Sequence, residues 1–296
     1  MVLASCKSRV QLRNILCATD FSSSSHAALI HATSLARRYD SQIYVAHVIR
    51  PDAYQLVPPE AVGAALEQTR LYAEQQMANV LISGKLRGIP HQVLLEQGAL
   101  WTTLSNMIDE HSIDLVVVGT HGRTGVRKLL LGSVAEEIFR LAPCPVLTVG
   151  PKVSEEALAD PEPRHILYAT DFTPTAEPAA AYAFSLAQEH QAHLTLLHVV
   201  QESAGGSAKN TALLREFFTR RLHGLVPPET ELWCEPEAVV EFGAPADSIL
   251  KVAAERNAGL IVLGVRRSAN FPGHLPPATA YMVVCMAHCP VLTVRG

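Results

Sequence analysis

Residues 119–133, GTHGRTGVRKLLLGS, set glycines at 119, 122, 125 and 132 directly after the apolar run Leu115–Val118. Glycine takes positive φ or admits a ligand close to the backbone, and Ser133 stands where it can N-cap the helix expected from Val134 to Leu141. A helix start with unpaired N–H groups attracts anions. Arg123, Arg127 and Lys128 would partly neutralise a polyphosphate there, so the chemistry this stretch suits is a phosphate cradle. No lysine follows the glycines as in G-x-x-x-x-G-K-[ST], which argues against a Walker A loop and fast phosphoryl transfer. A G-x-S-x-G hydrolase elbow is also lacking. Thr19 and Asp20 end another apolar run. A carboxylate at such a strand end can bind a ribose hydroxyl or Mg²⁺, although Asp20-Phe21-Ser22 also reads as ordinary helix capping. Val48 either lays its backbone against a base edge or is plain core. His121, inside the loop, is either a surface residue or a group that meets the phosphates.

These residues need elements to position them, and the alternation of short β-branched runs with helical stretches supplies an α/β pattern with parallel sheets. In the first half, strands are expected near 14–19, 42–49, 91–96, 114–119 and 145–149, with helices near 24–39, 61–87, 100–111 and 133–141. The second half predicts strands near 165–170, 193–200, 237–242, 259–264 and 290–294. Right-handed crossovers make each half a doubly wound sheet, with its ligand site beyond the strand carboxyl ends where the order reverses. For the order 3-2-1-4-5, strands one and four are adjacent, and the loop after Asp20 meets the loop that begins at Gly119.

The halves are copies. ILCATDF at 15–21 returns as ILYATDF at 166–172, AHVI at 46–49 as LHVV at 197–200, and CPVLTV at 144–149 unchanged at 289–294. A period this long is a duplicated domain. With 296 residues the chain accommodates two domains of roughly 150 residues: 1–150, a charged, proline-bearing linker at 151–163, and 164–296. No run approaches the roughly 18 apolar residues of a membrane span, and the N-terminus lacks a secretory apolar core, so a cytoplasmic location is expected. Its six cysteines are then reduced thiols. Cys285 and Cys289 flank His288, but no second pair completes a zinc spacing, and no metal site is expected of them. His47 and His198, at the ends of apolar runs, read as packed and hydrogen-bonded residues. A net charge of −4 without a basic stripe gives no attraction to nucleic acid.

The spacing Gly119-x2-Gly122-x9-Gly132-Ser133, with the preceding VVVGTHG, the ATDFS start and the CPVLTV ending, resembles the ATP-binding pattern of the universal stress protein family. Two copies resemble a tandem member. That resemblance implies the adenine nucleotide alpha-hydrolase-like fold, two five-stranded sheets of order 3-2-1-4-5, and final strands that pair the domains. It also implies ATP, accompanied by Mg²⁺, on Thr19, Asp20, Val48, Gly119, Gly122, Arg123, Gly132 and Ser133, in a homodimeric stress-response protein. The second copy departs from the motif. Gly264 keeps the first glycine, but Arg267, Pro277 and Ala278 replace Gly122, Gly132 and Ser133, which removes an amide, a hydroxyl and a place for close backbone approach. ATP is therefore expected in the first domain alone. The alternatives are a slow ATPase or self-phosphorylating enzyme acting through Asp20 or His121, or a scaffold whose second domain holds another small ligand.

Overall fold

A computed structural model describes residues 10–54, 58–120, 131–201, 208–228, 235–266 and 279–296. The chain divides into two compact units, Gln11–Pro151 and Lys152–Gly296, the latter together with Val10. Gly122 and Arg123, like His121, Arg127, Lys128, Arg267, Pro277 and Ala278, lie outside the described residues.

The first unit runs β1 (Asn14–Ala18), α1 (Ser23–Tyr39), β2 (Gln42–Ile49), a 3-10 turn (Pro51–Tyr54), α2 (Pro59–Ile82), β3 (His91–Gln97), α3 (Leu100–Glu110), β4 (Leu115–Gly119), α4 (Ser133–Leu141) and β5 (Val146–Val149). Its strands pair in parallel in the order β3-β2-β1-β4-β5. After α5 (Glu155–Ala159), the second unit runs β6 (His165–Ala169), α6 (Glu177–His190), β7 (His193–Val200), α7 (Ala208–His223), β8 (Glu237–Phe242), α8 (Pro245–Glu255), β9 (Leu260–Val265), α9 (Thr279–Met286) and β10 (Val291–Arg295). The same parallel order recurs there as β8-β7-β6-β9-β10. Each unit is thus a doubly wound α/β sheet. Among the described residues no helix is long and apolar enough to cross a membrane.

Apolar residues on both strand faces give the central strands their burial. Ile15, Leu16, Cys17, Val116 and Val117 are all wholly buried, as are Ile166, Leu167, Ile261 and Val262, the pattern of a parallel sheet covered by helices on both sides. Burial pushes the Cys17 thiol up to about 12, and burial likewise takes Cys289 to about 12, outweighing a hydrogen bond with the Ile261 backbone that lowers it. Both are inert core thiols.

Helix α1 covers the sheet with small residues, Ala28, Ala32 and Ala36 among them, so its backbone comes unusually near the strands. Gly119 is where it touches. A Cβ built on Gly119 would lie 2.5 Å from the carbonyl carbon of Ser24 and 2.7 Å from the amide nitrogen of Ser25, in the first turn of α1. The sequence suggests positive φ or ligand approach for this glycine. Instead its φ is not in the left-handed region, and the backbone that needs the space is the protein's own. In the second unit Gly264 does the same against Ala176, with a Cβ-to-Cα distance of 2.5 Å. Gly132 has φ −61° and ψ 149°, an extended backbone open to any residue.

Two boundaries differ from expectation. Helix α2 stops at Ile82 and not near 87, because Gly84 and Gly88 both adopt φ +77° in the turns that follow. The stretch 151–163 contains α5, capped by Ser154, whose hydroxyl accepts from the Ala157 N–H at 3.2 Å.

Gly119→Ala should destabilise the first unit by about 1–3 kcal/mol, the usual cost of overpacking a core, measured by urea denaturation. A midpoint equal to that of the unaltered chain would show that α1 yields at no cost and would refute the packing role.

Candidate functional site

The carboxyl ends of β1, β2 and β4 lie side by side. Ala18 is in register with Ala46 on one side and Val118 on the other. Thr19, just past β1, continues the ladder by donating its N–H to the Ala46 carbonyl at 2.9 Å. The chain then turns through a tight elbow. The Phe21 N–H donates to the Thr19 hydroxyl at 3.0 Å, the Ser22 N–H donates to Asp20 Oδ1 at 3.0 Å, and the Thr19 hydroxyl reaches Ser25 Oγ at 3.1 Å. Ser22 then caps α1, its side chain accepting from the Ser25 N–H at 3.2 Å. This elbow holds Phe21 at φ 64°, a conformation costly for a bulky residue and kept only where the surroundings impose it. His47 helps to impose it. Its Nδ1–H donates to the Thr19 carbonyl at 2.7 Å while its ring packs 4.5 Å from the Phe21 ring.

The second unit repeats the bonds of the threonine, the aspartate and the histidine. The Phe172 N–H donates to the Thr170 hydroxyl at 3.0 Å, the Thr173 N–H donates to Asp171 Oδ1 at 3.0 Å, and His198 Nδ1–H donates to the Thr170 carbonyl at 2.8 Å. Phe172 has φ 58°. His47 and His198 are packed, hydrogen-bonded residues, as their positions in the sequence suggest. That they orient the Thr-Asp step is the finding that sequence reasoning missed. The signal was available: in both copies the histidine lies two residues before the end of an apolar run, in AHVI at 46–49 and LHVV at 197–200.

The other expected site residues converge in part. Val48 is buried in β2, opposite Glu96 of β3. Gly119 ends β4 beside Val149. Gly132 donates its N–H to the Thr120 carbonyl at 2.8 Å, which pins the start of α4 next to the end of β4. Ser133 was expected to N-cap α4. It is instead the first helical residue, and Gly132, which has no side chain to cap with, occupies the cap position. Physically the backbone bond to Thr120 fixes the chain one residue earlier than the hydroxyl pattern suggests. Among the described residues no side chain caps the first-turn amides of Ser133, Val134 and Ala135, which a helix cannot satisfy internally. Such a terminus accommodates an anion.

A parallel sheet wound in the order 3-2-1-4-5, with its switch point between the first and fourth strands, defines a doubly wound α/β protein. The universal stress protein family model matches residues 11–150 and again 162–295, so the chain belongs to that family, as a tandem member. It is 27% identical over 301 residues to a universal stress protein of Mycolicibacterium smegmatis, covering 95% of this chain and 96% of that protein. A solved universal stress protein from Archaeoglobus fulgidus shares the fold with a TM-score of 0.68 at 20% identity, over 97% of this chain and 99% of its own. A universal stress protein solved in complex with cAMP matches at 24% identity over 48% of this chain and 98% of its own, with a TM-score of 0.34.

Burial holds His198 below the ordinary imidazole value of 6.5, outweighing the bond to the Thr170 carbonyl, which raises it; Arg221 lowers it further and Asp171 raises it. The unfolded chain takes up this proton near 6.5 and the folded chain only at lower pH. Its contribution to stability is therefore complete above that value and declines as pH falls below it. The urea midpoint should drop between pH 7.5 and 5.5, and His198→Asn, which keeps an N–H for the Thr170 carbonyl, should flatten that drop. An unchanged slope in the variant would exclude His198 as its source.

Proposed function

We propose that this chain is an adenine-nucleotide-binding regulatory protein of the stress response, holding one ATP in its first unit. The observation that supports this most is the meeting of β1 and β4 at their carboxyl ends, with Asp20 fixed by its elbow on one side and the uncapped start of α4 on the other. In this reading the backbone near Val48 lies along the adenine edge, and Thr19 and Asp20 meet the ribose or the ion. The phosphates take the amides of Ser133 to Ala135 and the Ser133 hydroxyl. Gly132 contributes its lack of a side chain and not its N–H, which Thr120 already holds. Gly122 gives the phosphates room and Arg123 offsets their charge.

Mg²⁺ fits this site as an ion carried in with ATP. Among the described residues no cluster of three or more carboxylate, histidine or cysteine side chains forms a metal cage. A single carboxylate, Asp20, with phosphate oxygens and retained water is the kind of shell Mg²⁺ accepts. When bound, the ion neutralises phosphate charge. Asp20 Oδ1 is committed to the Ser22 N–H, and this anchoring favours holding a ligand over moving a proton. The protein then acts by the conformation or partner affinity that bound ATP imposes, as a homodimer in the cytoplasm.

Isothermal titration of the full chain with ATP and Mg²⁺ should give one equivalent; two or none would refute the assignment. Gly122→Arg, which copies the residue at the matching position of the second half, should abolish that uptake with the melting temperature unchanged. Single-turnover incubation should return intact ATP, whereas cleavage that disappears in His121→Ala would establish the slow-ATPase alternative.

A further inference from the structure

Cys17 and Val45 are a registered pair on β1 and β2. Their side chains point to the face of the sheet opposite to that of Ala18 and Val48, because neighbouring strand residues alternate. On their face, between the sheet and helices α1 and α2, lies a cavity of about 160 Å³. Leu29 of α1 and Val80 of α2 complete its apolar walls, and Thr19 and Ser25 bring hydroxyls to it. The exposed side chains of Asn79 and of His26, the latter bonded to Lys85, mark its opening to solvent.

The second half of the chain shows what shape this space suits. ILCATDF and ILYATDF differ only at Cys17 and Tyr168. Tyr168 is buried, and its hydroxyl donates at 2.9 Å to the carbonyl of Ala176, the residue that matches Ser25 of the first half. One framework thus takes a phenol side chain where the other has a thiol and a cavity. An apolar cavity of about 150 Å³ admits a benzene ring. The two hydroxyls decide the polar end. That of Thr19 donates to Ser25 Oγ at 3.1 Å and accepts from the Phe21 N–H, and that of Ser25 donates to the Ser22 carbonyl at 2.9 Å. Both protons are committed, and each oxygen retains one acceptor lone pair. These acceptors call for an O–H on the ligand, with an apolar ring behind it. An ionised carboxylate or phosphate brings acceptors only.

We propose that the first unit binds a small monocyclic phenol in this cavity, its ring against Cys17, Leu29, Val45 and Val80 and its hydroxyl donating to Thr19 or Ser25. The site shares Thr19 alone with the nucleotide reading and does not rest on it. Fluorine NMR of 4-fluorophenol with the full chain should show one site, both without ATP and in saturating ATP and Mg²⁺. Fluorobenzene, the same ring without the hydroxyl, should bind about tenfold more weakly, the loss of one hydrogen bond. Cys17→Tyr, which installs the residue of the second half, should abolish the binding and leave ATP uptake as in the unaltered chain. Val80→Phe fills the cavity from α2 and decides the matter where Cys17→Tyr does not fold. No uptake of 4-fluorophenol, its displacement by ATP, equal affinity for fluorobenzene, or binding that persists in the folded variant would overturn the proposal. Binding that is lost in Cys17→Tyr, in a chain that takes up no ATP, would uphold it and refute the nucleotide reading of the first unit.

Discussion

Backbone resting on backbone is the constraint from which both units are built. At the end of β4 the chain has no side chain, and the first turn of α1 occupies that space at Ser24 and Ser25. Gly264 and Ala176 repeat the arrangement. Because the helix is held this close, its start cannot drift, and the elbow between β1 and α1 must turn within a few residues. That forces Phe21 and Phe172 into the left-handed region. The strain is met by a shared set of bonds: the threonine hydroxyl, the aspartate carboxylate and the histidine from the next strand. A few hydrogen bonds of about 1 kcal/mol each are of the right size to hold a conformation that costs about 1–3 kcal/mol.

Duplication shows which of these features belong to the scaffold and which to a ligand. The elbow, its histidine and the packing glycine survive in the second half, where the spaced glycines of the loop do not. Their survival therefore needs no nucleotide to explain it. Thr19 and Asp20 are first of all the residues that make the turn possible, and any ligand uses what remains of their hydrogen-bonding capacity. Mutating either tests stability as much as binding.

Much of this was legible in the chain. Uniformly apolar runs separated by helical stretches give the strands to within a residue or so, and the ILCATDF and ILYATDF repeats place both first strands. The strand order follows from crossover handedness and from the family resemblance. What could not be read was the direction a glycine faces. Gly119 belongs to a pattern associated with phosphate, yet the close approach it permits is to Ser24, about a hundred residues earlier in the chain. Sequence spacing records that a side chain is unwelcome and not what excludes it. The cap of α4 was misplaced for a related reason: a serine next to a helix start suggests a local cap, whereas the bond that sets the boundary joins Gly132 to Thr120 across the loop.

Ligand charge is consequently decided away from the aspartates. Asp20 and Asp171 occupy the same turn and are held by the same kind of bond, so neither can by itself distinguish a nucleotide from a neutral molecule. The two copies differ in the segment that follows the fourth strand of each unit. In the first unit it leads into a helix whose opening amides have no side-chain cap among the described residues, a source of positive potential. In the second unit the matching positions carry a proline and an alanine, and Asp171 is the charged residue among the described residues that line a cavity there. The same turn thus precedes two different sequences, spaced glycines ending in Gly132-Ser133 in the first unit and Arg267 with Pro277-Ala278 in the second.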